Sequence, residues 1–360
     1  MILIALTLAG GLAVLVAGAE ALVRGASRLA LLAGVTPLVV GLTVVAMGTS
    51  APELVVSVRA GLAGAPDLAV GNAVGSNVFN VLFILGASAL VAPLVVARQI
   101  VRLEVPIMIG AALLAWGVAL DRRIAPADGA LLSALMVAYT AWTVWRSRRE
   151  VRARREQAGR VEPASAGQLA VALGLVAAGL AGLVAGAGWF VDGAVALARA
   201  LGVSDAVIGL TVVAAGTGMP ELATSVVAAS RGERDLAIGN VVGSNVFNML
   251  GILGIASVVT PGGLPVPPAV VDFDLPVMVA VTVACLPIFL SGHSIGRLTA
   301  LVFLGYYAAY VAYLVLQAQA HDALPAFSAV VVEFALPLTL LGIGVSLWRS
   351  RRSAGGFAPY

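Results

Sequence analysis

The sequence predicts an all-α polytopic membrane protein, and three observations lead to this fold class. Of the 360 residues, 61% are hydrophobic and only 11% are charged, whereas charged residues make up about a quarter of a typical soluble domain. The mean hydropathy is +1.04. The apolar residues also form long runs, and a run of about 20 such residues matches the hydrocarbon thickness of a bilayer.

Eleven apolar segments are long enough, or nearly so, to form transmembrane helices. The first could instead be a secretory signal, because Ala17-Gly18-Ala19 resembles a cleavage site. No basic residue precedes this apolar run, so we favour a spanning helix. The predicted spans are residues 2–22, 36–60, 68–91, 101–120, 126–145, 168–191, 204–229, 236–259, 274–290, 295–317 and 327–348.

The arginines predict the orientation in the membrane. Seven of them lie in residues 146–160, the one clear hydrophilic linker. If the N-terminus is outside, 17 of the 21 basic residues fall in cytoplasmic segments and 4 fall outside. The positive-inside rule therefore favours an outside N-terminus, a cytoplasmic C-terminus and an odd number of spans, in the plasma (inner) membrane. Because these arginines are explained by topology, the net charge of +3 gives no reason to expect nucleic-acid binding.

An internal repeat predicts the organisation of the chain. After a shift of 168 residues, segment 36–86 aligns with 204–254 without a gap, with 32 identities in 51 positions. Five predicted spans separate equivalent points, so the two copies should have opposite orientations, as in secondary transporters with a site near the midplane. We predict a first five-helix repeat at 1–145, a cytoplasmic arginine-rich linker at 146–167, a second, inverted five-helix repeat at 168–317, and an extra transmembrane helix with a basic cytoplasmic tail at 318–360.

The first repeated motif places a carboxylate next to a proline in mid-membrane. It reads Gly-Thr-Ser-Ala-Pro-Glu at 48–53 and Gly-Thr-Gly-Met-Pro-Glu at 216–221. Pro52 has no N–H for the carbonyl of Gly48, and Pro220 has the same effect in the second copy, so both helices should break there. A carboxylate in the bilayer is costly and is usually paired, protonated or functional.

The spacing within this motif favours a cation site. Thr49 and Glu53 are four residues apart and share a helix face, as do Thr217 and Glu221. Free carbonyl, hydroxyl and carboxylate oxygens are the ligands that hard cations such as Na⁺ and Ca²⁺ prefer. The alternative is that proline only kinks the helix and glutamate only caps it, but the same break and the same acid occur twice.

The second motif reads Gly-Asn-Ala-Val-Gly-Ser-Asn-Val-Phe-Asn at 71–80 and Gly-Asn-Val-Val-Gly-Ser-Asn-Val-Phe-Asn at 239–248. Gly71 and Gly75 form a Gly-x-x-x-Gly face, which permits close helix packing. Ser76 and Asn80 are four residues apart and can point at one centre.

The second copy repeats this spacing with Ser244 and Asn248. The remaining asparagines of the motif have two candidate roles. For Asn77 and Asn245 we expect hydrogen bonds between helices. For Asn72 and Asn240, hydrogen bonding and cation binding stay open.

The paired motifs resemble the α-repeats of the cation/Ca²⁺ exchanger superfamily, and most closely its sodium/calcium exchanger branch. The resemblance covers the two 51-residue repeats, and the other spans only by hydropathy. It implies an antiporter that exchanges Na⁺ for Ca²⁺ through four central cation positions, exposed alternately by two sliding helices, the first of each half. No cofactor, protein partner or enzymatic activity is implied. The implied metal ligands are Thr49, Ser50, Glu53, Ser76 and Asn80 from the first half, Thr217, Glu221, Ser244 and Asn248 from the second, and the backbone oxygens of Ala46 and Ala214.

Two features depart from the family pattern. Gly218 stands where a serine is expected after Thr217, so a sodium position lacks one hydroxyl, and we expect Gly218→Ser to raise the apparent Na⁺ affinity. Some relatives carry an aspartate at one of the positions of Asn80 and Asn248, and here both are amides. Two formal negative charges would be neutralised by one Ca²⁺ and left at +1 by three Na⁺, so three-for-one exchange is compatible with the sequence without being required by it.

Three other functional classes are weaker alternatives. Proton-coupled relatives usually carry a glutamate at the positions of Gly75 and Gly243. A cation channel would not need an inverted repeat with matched acids. An enzyme is disfavoured because the sequence has no Walker loop, His-Glu-x-x-His motif or Gly-x-Ser-x-Gly elbow. A disulfide within the chain is impossible with Cys285 alone, and two distant histidines form no ligand cluster.

The predicted eleventh span is argued from charge. Residues 327–348 are apolar except for Glu333. Ten spans would leave Arg349, Arg351 and Arg352 outside, against the bias of the other arginines. An eleventh span returns them to the cytoplasm. Glu333 has no counterpart in the first half, so we expect it to lie outside the transport site.

Overall fold

A computed structural model describes residues 1–158, 165–201, 214–290, 293–342 and 344. Among the described residues, all elements except four two-residue strands are helices. They are α1 (Ile2–Ala33), α2 (Pro37–Thr49), α3 (Ala51–Leu62), α4 (Pro66–Val91), α5 (Ile100–Ala119), α6 (Pro126–Ala158), α7 (Ala166–Ala200), α8 (Ala214–Gly216), α9 (Met219–Ser230), α10 (Arg234–Val259), α11 (Val270–Leu290), α12 (Arg297–Ala318) and α13 (Leu324–Gly342).

The helices agree with a polytopic membrane protein. Within the described residues, nine helices are long and apolar enough to cross a membrane, or up to ten if the bent pair α2–α3 is one span. The predicted seventh span, 204–229, lies partly outside the described residues. Helix α13 occupies the region of the predicted eleventh span, although none of its apolar window is buried in the protein. That α13 crosses the membrane stays a prediction.

Several helices are longer than the apolar runs that predicted them. Helix α6 continues past residue 145 to Ala158, through most of the arginine-rich linker. Arginine, glutamate and alanine are good helix formers, so the hydrogen-bonded ladder continues after the apolar run ends. Hydropathy therefore located the membrane spans, but it underestimated the lengths of the helices.

Helices α4 and α10 form the centre of the fold. In their apolar windows, 72% and 89% of the residues are buried. Both carry the second motif, and both widen into a π-helical turn, at Phe79–Ile84 and Phe247–Ile252. Such turns often lie at functional sites. Here they fall at Asn80 and Asn248.

Helices α1 and α7 pack along each other in direct backbone contact. A Cβ on Gly18 would lie 2.7 Å from the backbone nitrogen of Leu183, and a Cβ on Gly179 would lie 2.5 Å from that of Leu22. No side chain fits at either position. The glycines of these two helices therefore permit a helix contact that any larger residue would force apart.

The glycines of the second motif behave differently in the two copies. A Cβ on Gly243 would meet the Leu42 carbonyl oxygen of α2 at 2.5 Å, which is the close packing the motif predicts. Around Gly71 and Gly75, a Cβ would meet no described atom within 4 Å. The segment equivalent to the α2 contact, residues 206–210, lies outside the described residues, so the predicted role of Gly71 and Gly75 is not seen in the part of the chain that is described.

Two short antiparallel ribbons join the halves of the chain. Strand β1 (Leu94–Val95) pairs with β4 (Ser294–Ile295), and β2 (Arg123–Ile124) pairs with β3 (Leu264–Pro265). In each ribbon, the strand that follows the central helix of one half meets the strand that precedes the last helix of the other. The ribbons thus connect the loops of the two halves around the central helices.

Candidate cation site

Each acidic motif places its glutamate at a break in a helix. Helices α2 and α3 meet at Ser50 with a bend of 45°. In the second half, α8 and α9 are separated by Thr217 and Gly218. Glu53 and Glu221 each occupy the third position of the helix after the break. The positive end of a helix dipole favours a carboxylate there.

The two carboxylates are buried and close to each other. The side chains of Glu53 and Glu221 are each only 1% exposed, and Ser50, the N-cap of the helix that carries Glu53, is hydrogen-bonded to Glu221. Two like charges away from water repel each other strongly. A cation bound between them would relieve this repulsion, and the described residues offer no arginine or lysine ion pair to either acid.

Each acid is approached by hydroxyl groups from the opposite half of the chain. Ser50 Oγ donates to Glu221 Oε1 at 2.8 Å, whereas the Thr49 hydroxyl is 3.0 Å from the Val45 carbonyl oxygen in its own helix. The Thr217 hydroxyl lies beside the Glu53 carboxylate without a hydrogen bond of regular geometry. The hydroxyl groups of one half therefore lie next to the acid of the other half. Sequence spacing predicted Thr49 and Glu53 on one helix face, but the bend at Ser50 places them in separate helices.

Several buried oxygen atoms at the motifs have no hydrogen-bond partner among the described residues. They are Glu53 Oε2, Glu221 Oε2, Thr217 Oγ1, Ser244 Oγ and Asn248 Oδ1. Buried polar atoms are nearly always paired, so a group of unpaired oxygens suggests a missing ligand. Carboxylate, hydroxyl and amide oxygens suit Na⁺ and Ca²⁺. The described residues contain no group of three His, Cys, Asp or Glu, so a site of transition-metal type is not indicated there.

The asparagines at the ends of the second motif are held by partners in the opposite central helix. Asn80 Nδ2 donates to Asn245 Oδ1 at 3.0 Å, and Asn248 Nδ2 donates to Asn77 Oδ1 at 2.9 Å. The expected interhelical role of Asn77 and Asn245 is therefore seen. For Asn80 and Asn248, the amide nitrogen is engaged and the amide oxygen remains as the possible cation ligand.

The first asparagine of each motif holds the acid-bearing turn in place. Asn72 Nδ2 donates to the backbone carbonyl of Glu53 at 3.1 Å and to Ser57 Oγ at 3.0 Å. Asn240 makes the two equivalent hydrogen bonds in the second half, at 3.4 and 3.0 Å. Both asparagines thus fasten a broken helix to a central helix. In addition, Thr49 Oγ1 lies 3.2 Å from Asn240 Oδ1.

For the remaining predicted ligands, the structure gives less information about a role in cation binding. The Ala46 carbonyl accepts the backbone N–H of Ser50 at 3.0 Å and so is already engaged. Ser76 is buried in α4 and lies one turn before Asn80. Ala214 is the first described residue of α8, and its surroundings lie outside the description.

The space that a side chain at position 218 would need is occupied by the ring of Phe79. An ideal Cβ on Gly218 would lie 2.6 Å and 2.7 Å from ring carbons of Phe79. This ring stacks on Phe83, with centroids 5.0 Å apart, and meets the edge of Tyr307 at 5.3 Å. A serine at 218 would therefore collide with Phe79. The expectation that Gly218→Ser restores a sodium ligand stays a prediction, and it requires that the Phe79 ring move.

Sequence reasoning missed a second pair of membrane acids. Tyr139 donates to Glu104 Oε2 at 2.9 Å, and Tyr310 donates to Asp274 Oδ1 at 2.9 Å. Each acid stands two residues before a proline, at Pro106 and at its equivalent in α11. That shared spacing was the signal available in the sequence. Each carboxylate has a tyrosine partner on another helix. We therefore interpret both pairs as hydrogen-bonded contacts between helices.

The fold and the site define a polytopic helical membrane protein with a buried, oxygen-rich centre between two broken helices. The family described as sodium/calcium exchanger protein matches residues 3–145 and 171–316. The chain is 32% identical over 335 residues to the sodium/calcium exchanger MaX1 of Methanosarcina acetivorans, covering 84% of this chain and 95% of MaX1. It is 35% identical over 286 residues to the inner membrane protein YrbG of Escherichia coli, covering 79% and 87%.

A solved structure of the sodium-calcium exchanger NCX_Mj, soaked with zero Na⁺ and Ca²⁺, superimposes with a TM-score of 0.74 at 32% sequence identity. The match covers 87% of this chain and 99% of that one. The chain therefore belongs to the sodium/calcium exchanger protein family. Its general function is cation/Ca²⁺ exchange across a membrane.

Proposed function

We propose that the chain is a secondary active antiporter that exchanges Na⁺ for Ca²⁺ by alternating access at the site around Glu53 and Glu221. The observation that carries this proposal is the pair of adjacent buried carboxylates, each with an unpaired oxygen. The same centre has the hydroxyl and amide oxygens that hard cations prefer. The relatives named as sodium/calcium exchangers favour Na⁺ as the counter-ion.

The charge of the site supports a divalent cargo. Two carboxylates with no basic partner among the described residues carry two negative charges, which one Ca²⁺ neutralises. Na⁺ ions can replace Ca²⁺ only if at least two bind, because a single monovalent ion leaves one buried charge uncompensated. Competition between the two ions for the same carboxylates would couple their movements, since each ion leaves only when the other can take its place.

The matched contacts of the two halves support an inverted-repeat transporter. Asn72 and Asn240 make equivalent hydrogen bonds 168 residues apart, and the crossed asparagine pairs are equivalent in the same way. In such folds the site lies where the repeats meet, near the midplane. We place the protein in the cell membrane with its N-terminus outside and its C-terminus in the cytoplasm, as the arginine distribution predicts.

A proton-coupled Ca²⁺ exchanger is the second candidate. It shares the fold and the buried acids, and relatives such as YrbG carry no coupling ion in their name. What disfavours it is the absence of a further carboxylate in the second motif, where Gly75 and Gly243 stand. Proton coupling would then rest on Glu53 and Glu221 alone.

Proteoliposomes separate these two candidates. Vesicles loaded with Na⁺ and diluted into Na⁺-free buffer should take up ⁴⁵Ca²⁺, and a pH jump without Na⁺ should produce no uptake above that of protein-free vesicles. If three Na⁺ exchange for one Ca²⁺, the net charge moved is worth about 2.3 kcal/mol per 100 mV, so a potassium diffusion potential should alter the rate. Uptake that follows the pH jump and ignores Na⁺ would reject Na⁺ coupling.

A further inference from the structure

A chain of hydrogen bonds runs from a methionine sulfur in α11 to Asn248 in α10. Asn77 donates its amide N–H groups to Met278 Sδ at 3.5 Å and to the backbone carbonyl of Asn245 at 3.3 Å. Because both N–H groups of Asn77 are engaged, its Oδ1 faces the other way and accepts the amide of Asn248 at 2.9 Å. The Nδ2 of Asn248 is thereby held, and its Oδ1 is left buried without a partner among the described residues.

The other half contains the same methionine–asparagine–asparagine contacts, without the additional bond to a backbone carbonyl that Asn77 makes. Asn245 Nδ2 donates to Met108 Sδ in α5 at 3.5 Å, and Asn245 Oδ1 accepts the amide of Asn80 at 3.0 Å. Met108 and Met278 are both nearly inaccessible to solvent, at 2% and 0% exposed. Each stands two residues after a helix proline. Two independent occurrences of one geometry argue against a chance contact.

We propose that Met278 is a positioning residue for the cation site, and that Met108 has the same role in the other half. Met278 and the Asn245 backbone carbonyl each accept an N–H of Asn77, and together they fix which way its amide faces. Asn77 in turn holds the nitrogen of Asn248 and leaves its carbonyl oxygen for a cation. The inference rests on the proposed function, because it assigns that oxygen to a transported ion.

The chemistry of the thioether fits this role. A methionine sulfur accepts a hydrogen bond weakly and has no proton to donate, so it binds the N–H side of an amide and disfavours the flipped orientation. If Asn77 flipped, its N–H groups would face those of Asn248, which would have to flip as well and present N–H groups to the cation. The same reasoning explains an amide at 248, since an aspartate has no N–H to donate to Asn77.

The test compares two substitutions of the same methionine. Met278→Leu keeps nearly the same volume and removes the acceptor. We expect the KM for Na⁺-driven ⁴⁵Ca²⁺ uptake to rise about threefold, the lower end of the effect of a hydrogen bond because sulfur is a weak acceptor, with kcat changed less than twofold. Met278→Gln returns an acceptor and should bring the KM back to within twofold of wild type. Met136→Leu, at a buried methionine of α6, is the matched control and should leave the KM unchanged.

Two results would overturn the role of the methionine. One is a wild-type KM for Met278→Leu. The other is a KM for Met278→Gln that is no better than for Met278→Leu, because lost packing would then account for the defect. If the Met278 variants do not purify as folded protein, Met108→Leu and Met108→Gln decide in the same way. Failure of wild-type vesicles to take up Ca²⁺ would contradict the proposed function as well, whereas normal wild-type uptake with an unaffected Leu variant contradicts the positioning role alone.

Discussion

The contact between Gly218 and Phe79 gives a prediction that can be worked out from distances. A Cβ at 218 would lie 2.6 Å and 2.7 Å from ring carbons of Phe79. Carbon atoms in contact are normally about 3.5–4.0 Å apart, so the ring must retreat by about 1 Å. It is backed by Phe83 and Tyr307, and each such aromatic contact contributes about 0.5–1.5 kcal/mol. Gly218→Ala should therefore lower the free energy of unfolding by about 1–3 kcal/mol, the usual cost of overpacking.

A double-mutant cycle isolates this contact. In a Phe79→Ala background both contacting ring carbons are gone, so we expect Gly218→Ala to cost less than about 0.5 kcal/mol, the size of a substitution that meets no such feature. The assay is reversible denaturation by SDS in mixed micelles, followed by tryptophan fluorescence. An equal loss of stability in both backgrounds would refute the steric reasoning, as would a Gly218→Ala protein as stable as wild type.

The same background tests whether residue 218 can become a sodium ligand. Gly218→Ser and Gly218→Ala differ by one hydroxyl, which is equivalent in position to Ser50 and its hydrogen bond to Glu221. With Phe79→Ala present, the serine variant should show a higher apparent Na⁺ affinity than the alanine variant in Na⁺-driven ⁴⁵Ca²⁺ uptake. Identical Na⁺ dependence of the two would mean that this position contributes nothing to Na⁺ binding.

Three further predictions concern the site, the helix packing and the topology. Ser50→Ala should weaken Ca²⁺ binding by about 1.5–3 kcal/mol, because the hydrogen bond to a charged group is lost. The control is Ser88→Ala, at a buried serine without a hydrogen bond among the described residues, which should change Ca²⁺ titrations little. Equal effects of the two substitutions would contradict the assignment of Ser50 to the cation site. Gly18→Ala should destabilise the α1–α7 contact by about 1–3 kcal/mol. Gly10→Ala should not, because a Cβ there meets no described atom within 4 Å. Indistinguishable SDS denaturation curves for the two variants would argue against close backbone packing. A green fluorescent protein fused after Tyr360 should fluoresce if α13 spans the membrane, and an active alkaline phosphatase fusion there, with the fluorescent fusion dark, would remove the eleventh span.

The motifs were readable from the sequence because their signals are local. A proline four residues after Gly48 predicts a helix break, and the structure has a bend at Ser50. Repetition after 168 residues identified Glu53 and Glu221 as a pair without any knowledge of their distance. Long apolar runs similarly revealed the helices, although the helices extend into the polar sequence that follows.

The details that escaped prediction depend on contacts between distant parts of the chain. Crossed pairing of hydroxyls and acids follows from the way the broken helices face each other, which spacing within one helix does not contain. Phe79 fills the space at Gly218 from another helix, and no pattern in either segment reports it. Likewise, Met108 and Met278 read as ordinary apolar residues of a span until their sulfur atoms are found beside asparagine amides.

The central claim is that Glu53 and Glu221, one from each half, bind the same cation. Isothermal titration calorimetry of Ca²⁺ with the purified protein in Na⁺-free detergent buffer tests it most directly. Wild-type protein should bind one Ca²⁺ per chain at the carboxylates, and added Na⁺ should displace it. Glu53→Gln and Glu221→Gln should each abolish this binding while the protein stays folded and monodisperse. Retention of wild-type Ca²⁺ affinity by either variant would contradict a shared site.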